Sequence, residues 1–222
     1  MDLIDEAAAL LEADADPVRA ENRAAYLKTD MAFYGVSSPA RRQIMKQLAT
    51  RFAPLTNDEY RRQVAGLWEG PHREEKYLAI DWARRHKRFI TIENLDLYQR
   101  MVSEGAWWDL VDDIAANLVG TMVRADLDRM RPVLEQWLTS DDLWLRRAVI
   151  ICQLKSKENT DTDLLFDACA RTAHEKDFFI RKAIGWALRQ HSRIDPGEVR
   201  GFVERHRDEL SGLSLREATK YL

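Results

Sequence analysis

Leu145-Arg146-Arg147-Ala148-Val149 returns 35 residues later as Ile180-Arg181-Lys182-Ala183-Ile184, and 35 residues further on as Leu215-Arg216-Glu217-Ala218. Followed backwards by the same step, Leu145 leads to Leu110 and Val149 to Ile114. Three apolar columns result: Leu110/Leu145/Ile180/Leu215, Ile114/Val149/Ile184 and Ala148/Ala183/Ala218. Members of one copy stand three and four residues apart, the spacing of a single helix face. Shorter helical stretches at 126–138, 161–174 and 195–208 separate the copies. A helix pair recurring about every 35 residues marks an α-solenoid, slightly shorter than the usual HEAT unit. The chain is therefore expected to be all-α, an α-α solenoid of HEAT-like helix-pair repeats. One helix of each pair would line a concave groove suited to an extended ligand.

Upstream, the same spacing predicts helices over 3–13 and 17–29, the second started by Asp16 as N-cap and Pro17 in the first turn. Gly35 interrupts the pattern, and Ser37-Ser38-Pro39 opens a helix through about Arg51. Thr56-Asn57-Asp58-Glu59 resembles an N-cap with acids in the first turn, leading a helix through Trp68 that Gly70-Pro71 ends. Further helices are expected over 72–88, 92–103 and 107–124. No segment alternates with the period of a strand. The organisation expected is one domain over 1–222, with N-terminal helices in 1–52 and helix pairs from about 56 to 222. Trp82 and Trp137 fall on apolar faces and should be core.

Apolar residues make up 45% of the 222 and charged ones 32%, as amphipathic helices require. Cys152 and Cys169 lack metal-ligand spacing and read as buried thiols of a reducing compartment. The stretch Met1 to Asp16 is acidic, unlike a signal peptide, and no apolar run could span a bilayer. A cytoplasmic protein is expected, with no membrane partner, metal or cofactor. The net charge of −3 taken alone argues against a nucleic-acid ligand. Its distribution argues the other way. Six of the 37 acids lie in residues 1–16, leaving 34 bases against 31 acids in the remainder. Acid-free runs occur at Ser38–Arg51, Arg84–Arg88, Trp144–Lys157 and Arg181–Arg193. Such runs are commonly no more than solvated faces, but these recur at similar places in a repeat.

The 35-residue step also aligns Asp112, Arg147, Lys182 and Glu217, each two residues after a core anchor and so expected to point away from the core. Trp108 stands one turn before Asp112 and Trp186 one turn after Lys182. A groove with a carboxylate, two cations and two indoles suits a ligand that is cationic or becomes so. The structural alternatives are an Arg147–Asp112 ion pair and a core-filling Trp186 behind Gly185.

With these residues in view, the chain resembles the AlkD-type bacterial DNA alkylation repair glycosylases. The resemblance rests on Gly35-Val36-Ser37-Ser38-Pro39-Ala40-Arg41-Arg42, Trp107-Trp108-Asp109-Leu110-Val111-Asp112 and Trp144-Leu145-Arg146-Arg147-Ala148. It continues in Phe178-Phe179-Ile180-Arg181-Lys182-Ala183-Ile184-Gly185-Trp186 and Leu213-Ser214-Leu215-Arg216-Glu217-Ala218. It runs through essentially the whole chain in order. The resemblance implies a HEAT-like solenoid that wraps duplex DNA and releases cationic N3- and N7-alkylated purines. Its catalytic aspartate falls on Asp112, its two sugar-contacting tryptophans on Trp108 and Trp186, and its groove arginine on Arg147. Some relatives have lost the aspartate and the activity; here it is present. Asp113 departs from the pattern, standing where the Ala column would put a small residue, and a second carboxylate there raises the Asp112 pKa by a small amount.

On this reading Asp112 stabilises an oxocarbenium-like sugar and orients water, while Trp108 and Trp186 pack against the sugar–phosphate backbone. Arg147, Lys182, Arg146, Arg181, Arg41 and Arg42 contact phosphates. The family resemblance implies hydrolysis without base flipping. No residue is an obvious amine nucleophile for strand cleavage, Lys182 being the one left open, so the reaction is expected to stop at an abasic site; a monomer is expected. Two other classes stay open: a catalytically silent HEAT-like solenoid that binds DNA or protein, and a glycosylase specialised for bulky minor-groove adducts.

Overall fold

The computed structural model describes residues 2–222. Among them every regular element is helical, and the single β-bridge is an isolated one between Ala32 and His72. The helices fall into two compact units, Met1–Leu97 and Tyr98–Leu222.

The first unit holds α1 (Leu3–Ala13), α2 (Pro17–Leu27), α3 (Ser38–Arg51), α4 (Asn57–Glu69) and α5 (Arg73–Arg85), then 3-10 turns at Lys87–Phe89 and Ile92–Asn94. Their starts are the ones the sequence marks. Asp16 caps α2 ahead of Pro17, Ser37 caps α3, and Thr56 with Glu59 forms a full capping box on α4. α3 packs on α1 and α5, and α4 on α5, burying Leu48, Tyr60, Val64, Leu78 and Trp82. Each such aliphatic side chain contributes about 1.5–3 kcal/mol on burial.

The loop before α3 is fixed by one side chain that sequence spacing does not reveal. The buried Glu74 carboxylate accepts the backbone N–H groups of Tyr34 (3.1 Å), Gly35 (2.9 Å) and Val36 (3.2 Å). Gly35 sits at φ 82°, where a Cβ would come within 2.0 Å of the Asp16 carbonyl oxygen. Both the backbone sign and the space demand glycine.

α6 (Leu95–Gly105) leads into the second unit. There follow α7 (Trp108–Asp113), a π-helical turn (Ile114–Val119), α8 (Gly120–Ala125), α9 (Leu127–Leu138), α10 (Leu143–Ile151), α11 (Thr162–Arg171), α12 (Phe178–His191), α13 (Pro196–Arg205) and α14 (Gly212–Ala218). α10 packs on α7 and the π turn on one side and on α12 on the other, and α12 packs on α14. α9 packs on α10, α11 on α10 and α12, and α13 on α12 and α14. The helix-pair repeat read from the sequence is thus present in this unit. Leu110, Leu145, Ile180, Ile114, Val149, Ile184 and the three alanines of the third column are all buried, as is Trp137.

Two differences from the expected repeat have physical causes. First, the helix expected over 107–124 is broken by the π turn, which inserts a wider i→i+5 ring just after Asp112 and Asp113. Asn117 fastens it by donating to the Asp113 carbonyl at 3.0 Å and to the Asp113 carboxylate, while Lys155 donates to the Asn117 side chain at 2.6 Å. The polar side chain at 113 is accommodated there, where later copies bury alanine. Second, the last helix starts one residue early, although Ala218 keeps the 35-residue step. The N-caps Asp142 and Asp177 are 35 apart, but the next, Ser211, follows after 34. Ser214 therefore takes the core place expected of Leu215, donating its hydroxyl to the Arg181 carbonyl at 2.9 Å, while Leu215 is half-exposed.

Candidate active site

α6 ends at Gly105, and the chain turns through Ala106, which takes a positive φ of 33°. Trp107 is extended, and α7 starts at Trp108. A non-glycine residue in that backbone region is strained by about 1–2 kcal/mol, and the strain sits directly before the paired indoles. Trp107 turns into an aromatic cluster with Trp144 (ring centroids 6.0 Å apart) and Phe179 (5.2 Å). Trp144 and Phe179 are themselves 5.0 Å apart. The cluster ties together the N-terminal ends of α7, α10 and α12. Phe178, 5.5 Å from Phe179, stays 58% exposed at its margin.

One turn along α7 from Trp108 comes Asp112. Arg147 of α10 meets it with a two-point fork, Nε to Oδ1 at 2.8 Å and Nη2 to Oδ2 at 2.8 Å. Nη1 of the same guanidinium donates to the Phe179 carbonyl of α12. Three helices are thereby joined at one arginine, whose side chain is only 3% exposed, against 16% for Asp112. The expectation that position 147 points outward does not hold: the long side chain lies along the helix row towards Asp112. Burial pushes the Asp112 carboxyl above the usual carboxylate range, Arg147 opposes it, and Asp109 and Asp113 add to the rise. The fork geometry is that of an ionised carboxylate, since Arg147 supplies donors to both oxygens.

The remaining cations are largely engaged. Arg146 forks onto Glu175 at 2.9 and 2.8 Å and donates to the Ser140 carbonyl at 2.6 Å. Arg181 donates Nε to the Glu175 carbonyl at 3.0 Å. Lys182, 38% exposed, pairs with Glu217 at 2.7 Å, and Arg189 bonds the other oxygen of that carboxylate. These hydrogen bonds hold Glu217 below the ordinary glutamate range, Lys182 contributing most. The charge column thus resolves into two pairs, Asp112–Arg147 and Lys182–Glu217. In the other unit, Arg41 pairs with Asp81 at 3.2 Å, while Arg42 is exposed. Trp108 and Trp186 are both half-buried, unlike Trp82 and Trp137, which are fully enclosed. Gly185 lets α14 approach closely beside Trp186: a Cβ there would lie 2.5 Å from the Glu217 Cβ.

Three contributors escape a reading of charge columns. The Phe179 carbonyl has no side-chain signature. The Trp107–Trp144–Phe179 cluster is visible in the sequence only as an aromatic residue near the start of α7, α10 and α12. Asn117 acts through the π turn, which no periodicity announces. Both cysteines are buried, and desolvation pushes the Cys152 thiol up to about 12 and Cys169 higher still, so neither is poised as a nucleophile. Among the described residues no group of His, Cys, Asp or Glu side chains is placed to hold a metal, and no helix is long and apolar enough to cross a membrane.

A row of helix pairs with a buried Asp–Arg fork between α7 and α10, and half-buried indoles on α7 and α12, defines a helical-repeat protein. The chain belongs to the DNA alkylation repair enzyme family, whose family model matches residues 7–222. It is similar over 94% of its length to a solved structure described as a predicted DNA alkylation repair enzyme from Enterococcus faecalis, at 31% identity and TM-score 0.87, covering 97% of that chain. AlkD2 from Streptococcus mutans shares the fold at 17% identity and TM-score 0.64, over 91% of this chain and 99% of that one. So does smu.31 from Streptococcus mutans UA159, at 17% identity and TM-score 0.63, over 82% and 92%. No curated protein matches the chain.

Proposed function

We propose that this DNA alkylation repair enzyme is a monofunctional glycosylase that hydrolyses the N-glycosidic bond of cationic N3- or N7-alkylated purines in duplex DNA. The observation that carries the reading is the Asp112–Arg147 fork, at 2.8 Å on both arms, one turn from the half-buried Trp108. Alkylation at N3 or N7 makes the purine a good leaving group, which departs neutral with the bonding electron pair. Cationic character then develops on the deoxyribose. An ionised carboxylate held rigidly in a desolvated site stabilises that charge without having to reorganise. Arg147 makes Asp112 a weaker base and a better-positioned anion, so its part is electrostatic, together with orienting water towards the anomeric carbon. The water gives up a proton to solvent after attack, leaving an abasic sugar. Trp108 and Trp186 offer π faces to the sugar as its charge grows. A site that reaches the sugar along a helix row needs no extruded base, in contrast to enzymes with an enclosed base pocket. The Lys182 amine is tied to Glu217 and is therefore not offered as a nucleophile for strand cleavage. The protein would act as a cytoplasmic monomer.

A second reading, a DNA-binding solenoid without catalysis, draws on the same fork: both oxygens of Asp112 already have a partner. Release of 7-methylguanine or 3-methyladenine from a methylated duplex separates the two. A rate above that of the free DNA supports the glycosylase, and an unaccelerated rate with intact DNA binding supports the silent solenoid.

A further inference from the structure

The basic run Arg84-Arg85-His86-Lys87-Arg88 has no part in the chemistry above. It lies in the first unit, where α5 ends at Arg85 and the chain enters the 3-10 turn Lys87–Phe89. Arg85, Lys87 and Arg88 are exposed. Arg88 is held in place, its Nη2 donating to the Pro54 carbonyl at 2.7 Å and its guanidinium lying 4.6 Å from the Phe89 ring centroid. Back along the same face of α5, at spacings of three and four, stand Arg84, Asp81 and Tyr77. Asp81 links Arg84 (3.6 Å) to Arg41 of α3 (3.2 Å), and the Arg41 guanidinium lies 4.7 Å over the Tyr77 ring. A continuous basic stripe therefore crosses from α3 over α5 onto the 3-10 turn.

The acid within the stripe is already engaged: Asp81 bridges two arginines. His86 turns inward against Trp82, ring centroids 4.7 Å apart. Burial, with Arg85 and Arg88 nearby, lowers its pKa, so it adds no charge at neutral pH. Cations in the last turn offset the partial negative charge of a helix C-terminus, which gives Arg84 and Arg85 a structural reason. It gives none for Lys87 and Arg88, which lie beyond the helix. No acid occurs from Trp82 to Ile92, so this self-repelling cluster calls for an external polyanion. From Tyr77 to Arg85 the helix advances roughly 12 Å, about three to four steps of the ~3.4 Å axial rise of one DNA strand.

We propose that Arg85, Lys87 and Arg88, extended by Arg41, form a phosphate-binding stripe that holds successive phosphodiesters of a DNA duplex without reading sequence. Only the choice of polyanion rests on the function proposed above. The test uses the full chain and an undamaged fluorescent duplex, with affinity measured by anisotropy over a series of KCl concentrations. The double variant Arg85→Gln/Lys87→Gln removes two exposed cations that bond no carboxylate. Loss of two phosphate contacts lowers the slope of log K against log[salt] by about 1.8 and weakens binding roughly tenfold or more at 0.15 M salt, equally on two unrelated sequences. Arg23→Gln/Arg62→Gln, which removes two exposed cations of the same unit outside the stripe, is expected to leave the slope unchanged. A parental slope in the first variant, an equal loss in the second, or a parent that binds no duplex overturns the proposal. If the parent binds steeply with salt but releases no base, the glycosylase reading fails and the stripe stands.

Discussion

Arg147 donates both arms of its guanidinium to the carboxylate of Asp112, 35 residues upstream, and directs its third donor to the Phe179 carbonyl. The contact serves folding and chemistry together. A buried ion pair returns little net stability over an apolar pair of similar size, yet removing one partner is strongly destabilising. On the proposed function, the fork holds Asp112 as a fixed anion.

The fork has a pH signature. Desolvation raises the Asp112 pKa and Arg147 opposes it, with the balance above the usual range. As pH falls, Asp112 therefore takes up its proton earlier than an ordinary aspartate, and base release loses its acid limb at a correspondingly higher pH. Arg147→Gln removes the main opposing influence and should move the acid limb of the single-turnover rate further up. A limb that stays put or moves down would show that Asp112 ionisation does not set the rate.

The tryptophans separate by burial. Trp82 and Trp137 are enclosed, whereas Trp108 and Trp186 keep part of their surface exposed. Trp82→Ala and Trp137→Ala should each cost about 3–5 kcal/mol. Trp108→Ala and Trp186→Ala should cost no more than roughly 1–2 kcal/mol, with their main effect on base release. Thermal melts of the four variants decide this, and equally large losses in all four would return Trp108 and Trp186 to a purely packing role.

Much of this fold is legible in the sequence because it depends on local chemistry. Asp16-Pro17, Ser37 and Thr56 mark helix starts through side-chain caps, and the alanine column survives because helices approach closely along it. What stays hidden depends on tertiary context. The charge column reads as outward-pointing, but a residue as long as Arg147 can reach along the row and bury itself when a carboxylate waits 35 positions back. Ser214 displaces Leu215 because one residue fewer separates the last two caps, a change that an apolar column tolerates silently. The π turn answers to the geometry around Asp113 and Asn117, for which sequence has no period.

Glu217 restrains two cations, Lys182 at 2.7 Å and Arg189. Glu217→Gln should release them to phosphates, tightening duplex binding and steepening the salt slope by up to about 0.9 for each additional phosphate engaged. Because the glutamate pKa is held low in the fold, the stability it lends is present at neutral pH and fades as pH falls through that lowered value. The variant should therefore lose some stability at pH 7 and none at strongly acid pH. Anisotropy titrations at several KCl concentrations measure the first effect. Unchanged or weaker DNA binding would mean that these cations do not face the duplex.

Asp112→Asn tests the chemistry most directly, provided that stability and rate are separated. The single variant leaves Arg147 buried without its anion and should lose about 3–5 kcal/mol. A fall in activity alone would therefore be ambiguous. Adding Arg147→Gln removes the stranded charge and places two amides face to face, so the double variant should recover part of the lost stability. Its rate should not recover, since neither amide opposes a developing oxocarbenium charge. Single-turnover release of 7-methylguanine is expected to stay about 10²–10³-fold below the parent in both variants, after subtraction of the spontaneous rate in free DNA. Asp109→Asn and Asp113→Asn, which remove neighbouring carboxylates outside the Arg147 fork, should keep most of the activity. If the rate returned together with stability in the double variant, the carboxylate would be a structural partner of Arg147 and the source of catalysis would lie elsewhere in the helix row.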